Sequence, residues 1–292
     1  LDVTPANGPR KVAFGLSGSD ANEGVSKLLP IATKRPKVIS FYGAMHGMSG
    51  SSAGLSGLPA VARFGSSPHV TRVPFPYPYR PTFGDAAGCG RDVVRYIEDY
   101  IFPNVSPPEM TGGILVEPIQ SDAGVIVPPD DFLPSLRALC DKYEMCLIVD
   151  EVKVGVGRSG RMWSCELTQT VPDILIAAKA IASGLPLSAT VAPPEILDAA
   201  IGAHVFTTAA APIPCAAACA TLDVIREERL AEHAAVLGIY LLERLRGMQQ
   251  THALIGDVRG RGLIIGVELV RDRVGKQPAA METAKLVLRC YQ

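Results

Sequence analysis

Asp150 and Lys179 stand at the ends of two short apolar runs, Met145-Cys-Leu-Ile-Val-Asp150-Glu151 and Val171-Pro-Asp-Ile-Leu-Ile-Ala-Ala-Lys179. Nearly continuous apolar runs of this length are the pattern of parallel strands buried on both faces. Ionisable residues delivered at the carboxyl ends of two such strands face the crevice of an α/β sheet. A carboxylate and an amine so placed are what pyridoxal phosphate (PLP) chemistry requires. The amine condenses with the aldehyde, and the carboxylate keeps the pyridine nitrogen protonated so that the ring can take up electrons.

The elements that must hold this pair alternate between strand and helix. Lys11–Phe14 reads as a strand, followed by Gly15-Leu-Ser17-Gly18-Ser19-Asp20-Ala21-Asn22-Glu23 and a helical pattern over Ala21–Ala32. Free N–H groups and the dipole at such a helix start bind phosphate, and Gly18 permits close approach; an ordinary Ser or Asp N-cap is the competing reading. Pro36–Phe41 is the next strand, and a long loop rich in Gly, Ser and Pro runs from Gly43 to Gly84, with Ala44-Met45-His46-Gly47 inside it. Loops of this length in compact domains are usually functional or disordered. Within it, Pro74–Pro81 is stiff and extended, as a lid, a subunit contact or a plain connector. Helix Arg91–Ile101, strand Gly113–Glu117, the carboxylate Asp122, and helix Asp131–Tyr143 complete the approach to Asp150. After Lys179 come strand Leu187–Ala192, a short helix Pro194–Ile201 and Ala-rich helices over Pro214–Gln250. Gly256–Glu268 reads as a strand opening a smaller domain. The expected division is therefore 1–250 and 251–292 within an α/β fold with right-handed crossovers.

Composition narrows the partners. The chain has 292 residues, is 48% hydrophobic and carries a net charge of -1, so nothing calls for nucleic acid or an anionic membrane. There is no signal peptide and no apolar run of spanning length, which makes a cytoplasmic enzyme the expectation. The seven cysteines show no paired metal-ligand spacing, and no metal is expected. Cys215 and Cys219, four apart in a helical stretch, read as packing residues ahead of ligands or a disulfide. Trp163 packs either in the core or beside the site, and Arg259 and Arg261, set between glycines, read as turn chemistry. The chain starts at Leu1 and stops inside a helical pattern at Gln292, from which a missing N-terminal segment and an incomplete small domain are expected.

Taken together, Ser17-Gly-Ser-Asp-Ala-Asn22, Glu117-Pro-Ile-Gln120, Asp150-Glu-Val-Lys153-Val-Gly155, Gly157-Arg-Ser-Gly160 and Lys179 resemble the class III aminotransferases, PLP enzymes of fold type I. The resemblance implies a three-layer α/β/α domain with a mainly parallel sheet, and a homodimer with active sites at the subunit interface. It implies Lys179 as the Schiff-base lysine and Asp150 as the partner of the pyridine nitrogen. Ser17, Gly18 and Ser19 would hold the phosphate, and Thr207 would reach the phosphate in the neighbouring subunit. The residue before His46-Gly47 stacks an aromatic ring on PLP in the family; here Met45 stands there and packs through its sulfur. His46 shapes the loop beside the cofactor. Ala209–Ala211 replace the family's Gly-Gly-Asn before Pro212.

Two further departures concern the reaction. The family's transaminases usually carry Glu at the position of Asp122 and Gln at that of Lys153. Asp122 and Lys153, with Gly184-Leu-Pro-Leu-Ser188, look like the subgroup containing amino-lactam racemase and isoleucine 2-epimerase. A racemase removes the α-proton from one face and returns one to the other. Lys179 serves one face, and Asp122 is expected opposite it, a shortened carboxylate that leaves room for substrate and holds a proton if buried. Lys153 is expected near the ring hydroxyl or the substrate carbonyl. The competing readings are Asp122 as a simple ion-pair partner, transamination of an amine or ω-amino acid, and a truncated chain that does not turn over. The substrate would be an amino acid, amine or amino-lactam.

Overall fold

The computed structural model of the chain describes residues 1–65 and 67–292. Seven strands form one sheet: β1 (Lys11–Gly15), β2 (Lys37–Phe41), β3 (Val70–Val73), β4 (Thr111–Val116), β5 (Cys146–Asp150), β6 (Ile174–Ala177) and β7 (Ser188–Ala192). Their spatial order is β1-β7-β6-β5-β4-β2-β3. The pairs from β6 through β5, β4 and β2 to β3 are parallel, and β7 runs antiparallel to both β1 and β6. The expected α/β class and mainly parallel sheet are thus present.

Burial on both faces explains why the strands read as unbroken apolar runs. Leu115, Ile148 and Ile176 point to one side, where they pack with Ala21, Val25 and Leu29 of helix α1 (Gly18–Thr33). Ile114, Val116, Leu147, Val149 and Leu175 point to the other, where they pack with Leu133, Leu136 and Leu139 of the helix Phe132–Lys142. Helices on both faces of one sheet make three layers. A period-two alternation inside a wholly apolar strand is invisible to hydropathy, because both alternatives are buried.

The long segment after β2 is more ordered than expected. It contains helix α2 (Gly50–Leu55), a short helix Pro59–Ala62 and the edge strand β3. Each is only four to six residues long, too short to show helical or strand periodicity against the surrounding Gly and Pro. The expected single strand over Gly256–Glu268 is also corrected. It is a hairpin, β8 (Ile255–Arg261) and β9 (Ile264–Leu269), paired antiparallel only with each other. Gly262 makes the turn with φ +54°, a conformation that a glycine adopts without strain.

Arg259 is more than a turn residue. Its guanidinium pairs with Asp257 at 2.7 Å and Glu268 at 3.1 Å, and it donates to the carbonyls of Gly124 and Val125. Glu268 also accepts from Arg80 at 2.8 Å and from the Tyr77 hydroxyl, so the proline-rich segment is tied to the hairpin. Trp163 is fully buried in the core and donates from Nε1 to the Val3 carbonyl. Cys215 packs against the main core, as a packing residue does, whereas Cys219, expected to do the same, is exposed.

Candidate active site

The residues singled out by chemistry come together at one edge of the sheet, because parallel strands bring their carboxyl ends to the same side. Ser17 and Gly18 follow β1, Met45 and His46 follow β2, Glu117 follows β4, Asp150 ends β5, and Lys179 lies two residues beyond β6. Between them is a cavity of about 330 Å³, bordered by Ser17–Ser19, Asn22, Met45, His46, Asp150, Val152 and Lys179. That volume is within the range of small-ligand sites.

Asp150 is the most heavily supported group. Its Oδ2 accepts from Asn22 Nδ2 at 2.9 Å and lies 2.8 Å from His46 Nδ1, and its Oδ1 accepts from the Val152 N–H at 3.0 Å. A buried carboxylate needs hydrogen-bond partners for its oxygens. These donors orient one oxygen fully and leave the other with a free lone pair. His46 is itself fixed by its backbone N–H, which donates to Ser56 Oγ at 2.9 Å. The roles of Asn22 and His46 as holders of Asp150 were not read from the sequence. Asn22 lies four residues beyond Gly18 on α1, the spacing that puts two residues on the same helix face, and this was the available signal.

The turn before α1 is capped as expected, with Ser17 in extended backbone geometry accepting from the Asp20 N–H. The first N–H groups of a helix have no intrahelical acceptor, so those of Gly18 and Ser19 are directed at the cavity end. Gly18 is needed for packing as well as access, since a Cβ there would stand 2.8 Å from Val152 Cγ1. Ser19 Oγ accepts from the Met48 N–H at 3.2 Å, joining this turn to the loop after β2.

Lys179 takes φ +46°, unusual for a residue with a Cβ. Such backbone strain clusters at functional sites, where surrounding structure imposes it. The side chain borders the cavity.

Glu117 is buried, accepts from the Met45 N–H at 3.2 Å, and lies near the Ser121 hydroxyl. Burial, reinforced by the negative charge of Asp150, pushes its carboxyl up to about 8. Glu151 is buried on the other side of Asp150 and accepts from the Cys165 N–H at 2.8 Å; burial pushes it up to about 7. Neither carboxyl was assigned a role from the sequence.

Asp122 and Lys153 meet each other rather than the cavity. Lys153 Nζ lies 2.9 Å from Asp122 Oδ1, with side chains 40% and 34% exposed. The expected burial of Asp122 is therefore corrected: its side chain is 34% exposed in the single chain. Lys153 adjoins Val152, which borders the cavity. Thr207 is exposed and does not border it either.

The residues present fit PLP. Asn22 Oδ1 and His46 Nε2 are buried polar atoms without a partner at the cavity wall, among the described residues. An anchored carboxylate, a lysine and a helix N-terminus surround the same space, which matches the charge pattern of a protonated pyridine, an aldehyde and a phosphate.

The family model described as aminotransferase class-III matches residues 1–289. The chain belongs to the class-III aminotransferases. Among curated relatives of this family, alanine/serine racemase of Pyrococcus horikoshii is 37% identical over 300 residues, covering 100% of this chain and 63% of the relative. Isoleucine 2-epimerase of Lentilactobacillus buchneri is 38% identical, with 99% and 65% covered. Aminotransferases reach the same level of identity. The chain thus spans about two thirds of the length of the curated relatives it matches. Among solved structures, an amine transaminase from an uncultivated Pseudomonas species, in its PLP-bound form, superposes with TM-score 0.86 at 32% identity, covering 92% of this chain and 64% of that one.

Proposed function

We propose that the protein is a PLP-dependent enzyme that racemises or epimerises an amino acid or amino-lactam at Cα by proton transfer between two bases. The observation that carries this reading is the identity of Asp122 and Lys153, which stand where transaminases of the resemblance carry Glu and Gln; in the single chain the two pair with each other at 2.9 Å, outside the cavity. Racemase and epimerase relatives at 37–38% identity support it.

When bound, PLP supplies an electron sink that makes the α-proton of an amino substrate removable. Lys179 would anchor it through its amine, Asp150 would hold the proton of the ring nitrogen, and the N–H groups at Ser17–Ser19 would take the phosphate. His46 and Asn22 keep Asp150 oriented, and Met45, which borders the cavity, would pack its thioether beside the ring. In the reaction Lys179 takes or returns the proton at Cα on one face, and Asp122 serves the other. Lys153, paired with Asp122 at 2.9 Å, attracts negative charge at the mouth of the site.

We assign residues 1–250 to the cofactor-binding unit and 251–292 to the beginning of a second unit, supported by the separate β8–β9 sheet. A homodimer is part of the proposal: exposed Thr207 then reaches the phosphate in the neighbouring subunit. Among the described residues no helix is long and apolar enough to cross a membrane. The proposed location is the cytoplasm, and the partner is a small amino substrate.

An Asp122→Asn variant tests the two-base reading in heavy water. The parent should exchange the α-proton of both enantiomers and interconvert them. The variant should still exchange one enantiomer through Lys179 while racemisation falls by about 10²-fold or more, the range for losing a positioned acid/base. Racemisation at the parent rate would sink the proposal.

Transamination is the second reading, favoured by the likeness to a solved amine transaminase. It requires an amino donor alone to leave its amino group on the cofactor and release one equivalent of the matching ketone, aldehyde or keto acid per site in a single turnover. A racemase does so only as a slow side reaction.

A further inference from the structure

Asp20, in the first turn of α1, is the junction of two segments that the sequence keeps far apart. Its Oδ2 accepts from the Leu16 N–H at 2.6 Å, and its own N–H donates to Ser17 Oγ at 3.2 Å, so it braces both sides of the turn Leu16–Ser19. Its Oδ1 lies 2.7 Å from His204 Nε2, and the two side chains are 8% and 11% exposed. His204 Nδ1 lies 3.3 Å from Lys27 Nζ. An ammonium only donates, so Nδ1 is the acceptor and Nε2–H donates to Asp20. The ring sits over Gly24, where a Cβ would stand 2.7 Å from His204 Cδ2. Phe206 packs against it in a T-shaped contact, with ring centroids 5.1 Å apart. Thr207, the next residue, is exposed.

We propose that His204 is a positioning residue: it locks residues 201–207 onto the turn Leu16–Ser19 through Asp20, so that one carboxylate sets both the phosphate-binding turn and the placement of Thr207. This rests on the reading above of that turn as the phosphate site. The arrangement also explains a carboxylate beside an anion site. Donation from His204, backed by Lys27, occupies one oxygen of Asp20, and the Leu16 N–H occupies the other, so its charge is spent on the scaffold. The N–H groups of Gly18 and Ser19 stay free for a ligand. Gly24 is part of the device, because any side chain there would expel the ring.

Hydrogen exchange on the 292-residue chain, together with titration of PLP and of phosphate-free pyridoxal, tests this. His204→Ala, which removes the ring, and Gly24→Ala, which displaces it, should each speed exchange in peptides spanning 199–209 and 14–20. They should weaken PLP about tenfold or more, the size of a lost hydrogen bond to a charged group, and leave pyridoxal unchanged. His204→Gln, which keeps a donor for Asp20 and an acceptor for Lys27, should restore parent behaviour. The proposal is overturned if exchange stays at the parent rate in either peptide, or if PLP and pyridoxal weaken alike. A parent that binds PLP and pyridoxal equally would instead remove the phosphate-site reading; the exchange response of the two peptides still reports the lock separately.

Discussion

His46 Nδ1 and Asp150 Oδ2 lie 2.8 Å apart with both side chains buried, an imidazole on the loop after β2 holding a carboxylate at the end of β5. Asn22 supplies the second donor to the same oxygen. With His46 replaced by Ala, Asp150 loses a partner in a site where water does not readily substitute. The expected cost is about 1.5–3 kcal/mol in PLP binding, read as a rise in Kd by fluorescence titration. Asn22→Ala should show a loss of the same kind, and the two should be non-additive because they share one oxygen.

Lys179 is the cavity lysine with left-handed backbone geometry. Borohydride reduction in the presence of PLP should fix the added mass on the peptide that contains Lys179. The Lys179→Ala chain should take up none, although its thermal stability should be close to the parent's because the side chain is exposed. Label found on another lysine would refute the assignment.

Glu117 links stability to pH. Its carboxyl is raised to about 8 in the folded chain, by burial first and then by the charge of Asp150. In the unfolded chain it ionises in the ordinary carboxylate range, so between these limits the folded state binds the extra proton. Stability contributed by this group is therefore fully present in acid and falls as pH rises toward about 8. Glu151, raised to about 7 by burial, acts in the same direction. Glu117→Gln, neutral and of the same shape, should flatten the decline in Tm between about pH 5 and 9, and Glu117→Gln with Glu151→Gln should flatten it further.

Gly238 and Gly247 lie on the same helix, Leu230–Thr251, and should respond in opposite directions. A Cβ at Gly238 would run into the backbone of Gly262 in the β8–β9 turn, whereas nothing lies within 4 Å of one at Gly247. Gly238→Ala should destabilise by about 1–3 kcal/mol through overpacking. Gly247→Ala should stabilise by about 0.4–1 kcal/mol by restricting the unfolded chain. Denaturant midpoints of the two variants check both.

Much of this site is legible in linear order because strand ends mark it. Asp150 and Lys179 stand where apolar runs stop, and Ser17–Ser19 where small residues precede a helix. The same logic placed Asp122 beyond a strand but could not say what covers it, since burial depends on neighbours that are remote in the chain. Trp163, left between core and site, is decided by the Val3 carbonyl, 160 residues away. The hairpin β8–β9 was missed as two strands because its turn has one glycine among several, and only the φ of +54° at Gly262 distinguishes it.

By itself the sequence determined the α/β class and the edge of the sheet where Asp150, Lys179 and the turn Ser17–Ser19 gather. These follow from local rules: a buried strand must be apolar, and a helix start must expose its N–H groups. Only the tertiary structure decided that His46 and Asn22 hold Asp150, that Asp122 pairs with Lys153 in the open, and that His204 reaches Asp20. Each of these is a contact between side chains 31 to 184 residues apart. Hydrogen bonding acts over about 3 Å in space, and no periodicity in the chain records which distant groups the fold will bring that close.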